Sequence, residues 1–72
     1  MIGKRVYIGN LYLRATKEQI RELFSRFGRV NYVEYVPGSG FAYVEMETEE
    51  EAERARIALD GTDFLDRVIR VK

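Results

Sequence analysis

The sequence contains no cysteine and no histidine among its 72 residues. Without cysteine the chain has neither a disulfide framework nor a thiolate metal site, so we expect it to fold in a reducing, intracellular compartment, cytoplasmic or nuclear. The missing histidine and cysteine also remove the commonest general base and the thiol nucleophile of enzymes. We therefore predict a protein that is not an enzyme and that uses no metal or cofactor.

Long hydrophobic runs and an excess of one charge are also missing. No apolar run approaches the roughly 18 residues that a membrane-spanning helix needs, and the first residues do not resemble a secretion signal, so we expect a soluble protein without a membrane contact. The 12 basic and 12 acidic side chains cancel, which argues against binding by electrostatic attraction alone. The charges are nevertheless segregated, because residues 1–36 hold 7 basic and 3 acidic groups and residues 37–72 hold 5 and 9.

Strand signals, in which apolar and polar residues alternate, occur in four segments of the chain, namely residues 5–9, 30–36, 39–46 and 68–72. Pro37-Gly38 suits the two central positions of a type II turn, so the second and third segments should form an antiparallel hairpin. The first and last segments have no such partner next to them along the chain.

Helix signals follow the first and the third strand segments. Thr16 with Gln19, and Thr48 with Glu51, have the spacing of capping boxes, and Gly28 stands where a left-handed cap should end the first helix. The resulting order, β-α-β-β-α-β, is the ferredoxin-like split βαβ arrangement of the α+β class. We expect one domain over residues 1–72, with a four-stranded antiparallel sheet that carries both helices on one face.

Three aromatic residues are predicted to share the sheet face that the helices leave open. Side chains alternate between the two faces of a strand, so Phe41 and Tyr43 point one way while Ala42 and Val44 serve the core. If segments 5–9 and 39–46 are neighbours, Tyr7 lies beside Tyr43, and the three rings form a platform. Flat exposed rings are surfaces on which unpaired nucleic-acid bases stack.

The chain resembles an RNA recognition motif domain from Lys4 to Lys72, and two motifs carry this resemblance. The six-residue motif of the family, aliphatic-aromatic-aliphatic-x-Asn-Leu, is matched by Val-Tyr-Ile-Gly-Asn-Leu at residues 6–11. The eight-residue motif is approached by Ser-Gly-Phe-Ala-Tyr-Val-Glu-Met at residues 39–46. The interior of the second motif agrees, whereas Ser39 replaces the usual lysine or arginine and Met46 replaces an aromatic residue.

The resemblance implies that Tyr7 and Tyr43 each stack on a base and that Phe41 packs against ribose. Asn10, from the first motif, joins them as a candidate RNA-binding residue. Basic side chains predicted to assist are Lys4, Arg5, Arg70 and Lys72. We expect a monomer that holds single-stranded RNA, or single-stranded DNA, weakly and with a shallow salt dependence, because few phosphate contacts are available.

Three other interpretations of the sequence stay open. A domain of this kind can bind a protein instead of RNA, for example a peptide tryptophan beside an Arg-x-Phe element, but Thr62-Asp63-Phe64 lacks the arginine. A redesigned scaffold with little RNA affinity would also show clean capping boxes and a short uncharged turn. An acylphosphatase-like site on the same topology would need Arg14 and Asn31, yet no phosphate-binding loop surrounds Arg14.

Overall fold

The computed structural model of the protein describes residues 3–72. The elements in chain order are β1 (Arg5–Gly9), α1 (Lys17–Ser25), β2 (Val30–Tyr35), β3 (Ala42–Met46), α2 (Glu49–Leu59), β4 (Asp63–Phe64), β5 (Arg67–Val68) and β6 (Arg70–Val71). Four of the strands form an antiparallel sheet in the order β2-β3-β1-β6, and β4 pairs with β5 in a small separate ladder. The predicted α+β, ferredoxin-like fold is confirmed.

The core lies between this sheet and the two helices. The strands contribute their inward-facing side chains, among them Val6 and Ile8 of β1, which are fully buried as the alternation predicted. The helices contribute Ile20, Leu23 and Phe24 from α1 and Ala52, Ala55 and Leu59 from α2. Because both helices cover the same face, the opposite face of the sheet is open to solvent.

Both helices begin at the predicted threonines. The hydroxyl of Thr16 accepts the N–H of Gln19 and the hydroxyl of Thr48 accepts the N–H of Glu51, each at 3.1 Å, and the two reciprocal bonds of each capping box are present. Each box satisfies backbone N–H groups that the first turn of a helix leaves without partners. The two capping boxes therefore determine where both helices begin.

The end of α1 differs from its prediction. The helix ends in right-handed backbone at Arg26, and Gly28, with φ +150°, does not adopt the left-handed cap conformation expected of it. Glycine suits this position for another reason: other residues rarely adopt φ +150°, and the Glu51 side chain occupies the space where a Cβ of residue 28 would lie. The capping box of α2 thus packs against the chain that leaves α1.

The hairpin between β2 and β3 turns where the sequence predicted. The N–H of Ser39 donates to the carbonyl oxygen of Val36 at 3.1 Å, and Gly38 has φ +87°, as the third residue of a type II turn requires. The strands themselves are shorter than predicted, ending at Tyr35 and starting again at Ala42. Phe41 therefore lies just outside β3.

The prediction of one continuous last strand over residues 68–72 is wrong. Val68 belongs to the β4-β5 hairpin, and only Arg70–Val71 form the edge strand β6 of the main sheet. The hairpin turns at Leu65 and Asp66, both with positive φ (54° and 66°). Two-residue turns of this kind usually contain Asn-Gly or Asp-Gly, so Leu-Asp gave no recognisable signal.

Candidate nucleic-acid interface

Three aromatic rings lie together on the open face of the main sheet. Tyr7 of β1 and Tyr43 of β3 are direct cross-strand partners, and their ring centroids are 5.6 Å apart. The Phe41 ring lies 6.2 Å from Tyr7 at an interplanar angle of 29°, and 6.4 Å from Tyr43. Phe41 and Tyr43 remain 44% and 39% exposed although they contact other rings. We call Tyr7, Phe41 and Tyr43 the aromatic platform.

The position of Tyr7 depends on the glycine that follows it by two residues. Gly9 faces the same side of β1, and a Cβ there would lie 2.7 Å from the Tyr7 hydroxyl oxygen and 3.0 Å from its ring. The ring therefore lies along the strand, over the Gly9 backbone. No other residue type leaves this space free.

Arg5 is a predicted cation that contacts the platform. Its guanidinium carbon lies 5.4 Å from the centroid of the Tyr43 ring, within the range of a cation–π contact. The same guanidinium donates to Glu34 of β2 at 2.8 Å. Arg5 thus contacts one ring of the platform while it is held by a carboxylate.

Lys4, another of the four predicted cations, lies just before β1 and is exposed. The remaining two lie at the edge of the sheet formed by β6. Lys72 exchanges two backbone hydrogen bonds with Tyr7, at 2.8 and 2.9 Å, and its side chain is exposed beside the platform. Arg70 is the register partner of Gly9, and its Nε donates to Asp60 at 3.3 Å. Among residues 3–72, no carboxylate forms an ion pair with Lys72.

Asn10 makes contacts that its motif did not indicate. Its Nδ2 donates to the Val68 carbonyl at 2.8 Å, and its Oδ1 accepts from Arg67 at 2.6 Å. The amide nitrogen and the amide oxygen of Asn10 therefore both form hydrogen bonds, and these bonds attach the end of β1 to the β4-β5 hairpin. The predicted RNA contact of Asn10 stays a prediction, whereas its connection to the hairpin is a direct observation.

Two acidic residues and a fourth ring complete the open face. Glu34 is the register partner of Tyr43, and Glu45 is the partner of both Arg5 and Tyr32. Tyr32 is 51% exposed on this face and is not one of the predicted site residues. Alternation along residues 30–36 puts Tyr32 on the open side, but the register shift between Val30 and Tyr32 changes its alignment with β3 in a way that the sequence does not indicate.

Two further observations on residues 3–72 concern membrane-spanning helices and metal sites. Neither α1 nor α2 is long and apolar enough to cross a membrane. Within residues 3–72 the acidic side chains form no group of three or more that could hold a metal ion.

A β-α-β-β-α-β fold with aromatic rings on the open face of its sheet is the arrangement expected of an RNA recognition motif domain. A sequence model of the RNA recognition motif family matches residues 6–70. The chain belongs to the RNA recognition motif family.

Individual relatives include proteins with named roles in RNA metabolism. The chain is 39% identical over 71 residues to the "Probable splicing factor, arginine/serine-rich 3" of Caenorhabditis elegans, covering 96% of this chain and 28% of that protein. It is 45% identical over 74 residues to "Nuclear cap-binding protein subunit 2" of Drosophila willistoni, covering 92% of this chain and 47% of that protein. The chain thus spans less than half of the length of either relative.

Solved structures share both fold and size with the chain. The structure described as "RNA15 RRM" superimposes with a TM-score of 0.92 at 25% identity, covering 97% of this chain and 87% of that one. The "RNA Binding Protein PG1" structure gives a TM-score of 0.91 at 32% identity, covering 96% of this chain and 90% of that one. Each of these two matches covers at least 96% of the chain.

Proposed function

We propose that the protein binds short segments of single-stranded RNA across the open face of the β2-β3-β1-β6 sheet, as a monomer and without catalysis. The aromatic platform is the observation that carries this proposal, since exposed rings offer bases a surface for stacking. Relatives named as a splicing factor and as a nuclear cap-binding subunit support RNA as the ligand and an intracellular, nuclear or cytoplasmic setting. Single-stranded DNA is the alternative ligand, because ring stacking alone does not distinguish the two sugars.

The proposal gives each residue of the interface a role. Tyr7 and Tyr43 stack on two successive bases, and Phe41 packs against the ribose between them. Arg5, Arg70 and Lys72 approach the phosphates, as lysine and arginine do at nucleic-acid interfaces. A further contact is assigned to Asn10, in addition to its bonds with the β4-β5 hairpin.

The expected affinity is modest. Stacking contributes about 1–3 kcal/mol per base, so two bases supply roughly 2–6 kcal/mol. A micromolar Kd corresponds to about 8 kcal/mol, and the cations must supply the difference. Three phosphate contacts would give a slope of roughly −2 in a plot of log K against log salt, because each contact contributes about −0.7 for single strands.

The test compares the affinity of wild type and a ring-deletion variant for a fluorescently labelled pool of short single-stranded RNA. Tyr7→Ala combined with Tyr43→Ala should weaken binding by roughly 30-fold or more, since two stacking contacts are lost. Tyr12→Ala is the matched control, because Tyr12 is also exposed but lies beside the β4-β5 hairpin with Leu65 and Asp66. Equal affinity of all three proteins, each with a folded amide spectrum, would contradict the proposal.

A further inference from the structure

The ion pair between Arg5 and Glu34 lies on the open face of the sheet, and its guanidinium contacts Tyr43 of the aromatic platform. Arg5 is on β1 and Glu34 is on β2, so the pair reaches across β3, which separates these strands in the sheet. Glu34 is the register partner of Tyr43, and the Arg5 guanidinium is 5.4 Å from the centroid of the Tyr43 ring. The pair therefore crosses the sheet next to one of the two proposed stacking rings.

From this arrangement we infer that Glu34 competes with RNA for Arg5 and that RNA binding transfers the Arg5 guanidinium from Glu34 to a phosphate. The inference rests on the proposed function and concerns how strongly that same site binds. Glu34 acts here as a built-in competitor that lowers the affinity of the open face for RNA.

The chemistry of the two partners supports this competition. A guanidinium binds carboxylates and phosphates through the same N–H groups, so the Nη2 donor that Glu34 holds at 2.8 Å is not available to RNA. The guanidinium also lies 5.4 Å from the centroid of the Tyr43 ring, close enough to crowd a base that stacks there. When it moves away, it frees space beside this ring and becomes available to a phosphate in the same step.

The exposure of the pair indicates that the competition adjusts affinity and does not block binding. The side chains of Arg5 and Glu34 are 46% and 57% exposed. Ion pairs at such exposed sites are weak, so RNA can open this pair at little cost. The Glu34 carboxylate then remains beside the bound strand as a repulsive charge.

Glu34→Gln tests the inference because it removes the charge and keeps the size of the side chain. We expect RNA affinity to rise by roughly twofold to fivefold at low salt, the effect of losing one exposed ion pair. The slope of log K against log salt should become steeper, because salt screens the competing Arg5–Glu34 pair of the wild type and so reduces the gain at high salt. Both quantities come from the same anisotropy titrations, repeated at several salt concentrations.

Two further variants separate this competition from a general change in charge. Glu53→Gln removes an equal charge from an ion pair with Arg56 (2.7 Å) on α2, in the helix layer away from the open face. It should leave RNA affinity close to the wild-type value. In an Arg5→Gln background, Glu34→Gln should lose most of its effect, because no guanidinium is left to release.

The outcomes distinguish the two proposals. If wild type binds RNA through the aromatic platform but Glu34→Gln binds equally or more weakly with a folded amide spectrum, the competition is refuted and the proposed function stands. An equal gain in the Arg5→Gln background would likewise refute it, because the effect would then be simple charge repulsion. Absence of binding by wild type and Glu34→Gln alike would overturn both proposals.

Discussion

At the scale of single residues, Gly9 shows how a position without a side chain determines the geometry of an interface. The Tyr7 ring lies over Gly9, and a methyl group there would collide with the ring and its hydroxyl. The backbone of Gly9 does not have the positive φ that favours glycine, so alanine is compatible with the strand itself. The Tyr7 ring, and not the backbone conformation, is therefore what favours glycine at residue 9.

Gly9→Ala should displace the Tyr7 ring from the platform while the protein stays folded. We expect RNA affinity to fall by roughly tenfold, within the range for losing one stacked base. Binding titrations measure the loss, and NOE contacts between the rings of Tyr7 and Tyr43 report the displacement. If the affinity and these NOE contacts are both unchanged, the positioning role of Gly9 is wrong.

The platform could be predicted from the sequence because strand alternation is local. The contacts of Asn10 and Arg5 could not, since their partners lie far away along the chain. Asn10 reaches Val68, 58 positions further on, and Arg5 reaches Glu34, 29 positions further on. No periodicity within one strand indicates which distant side chain will be nearest after folding.

At the scale of secondary-structure elements, Asp60 connects the end of α2 to β6. Its carboxylate accepts the N–H of Val71 at 3.0 Å and the Nε of Arg70 at 3.3 Å. The hydrogen bond from Val71 is the main reason that the pKa of Asp60 lies below its ordinary value of 3.8, and the positive charge of Arg70 adds to the effect. The helix and the edge strand beside the platform are therefore joined through one ionised group.

This contact predicts a pH-dependent contribution to stability. Because the pKa of Asp60 is lower in the folded protein, its stabilising effect is present above the unfolded-state pKa, near pH 4, and is lost as pH falls through the folded-state pKa. Asp60→Asn should reduce the free energy of unfolding at pH 7, and the difference from wild type should shrink below pH 4. Urea unfolding at pH 7 and at about pH 2.5 checks this. A difference that is the same at both pH values would contradict the assignment.

The helix starts could be predicted because a capping box lies within four consecutive residues. The β4-β5 hairpin and the short β6 could not, because Leu65 and Asp66 adopt positive φ without the usual turn residues. Ile69, fully buried between the two ladders, separates Val68 from Arg70 although all three fit one alternating pattern. In residues 68–72, tertiary packing therefore overrides the alternation of apolar and polar residues that predicted one strand.

At the scale of the whole molecule, the core and the proposed RNA-binding face lie on opposite sides of the main sheet. The helix layer covers the core, and its α2 begins with the acidic run Glu49-Glu50-Glu51. The open layer carries the platform together with Arg5, Arg70 and Lys72, but also Glu34 and Glu45. This mixture of charges on the open face explains why we expect weak binding and a shallow salt dependence despite the intact platform.

The measurement that tests the account most directly is an amide chemical-shift titration of the isotope-labelled protein with a randomised pool of short single-stranded RNA at low salt. The account predicts shifts concentrated at Tyr7, Phe41, Tyr43 and β6. It also predicts their loss in a folded variant that combines Tyr7→Ala with Tyr43→Ala. An absence of shifts at millimolar RNA, or shifts confined to α1 and α2, would contradict RNA binding by the open face of the sheet.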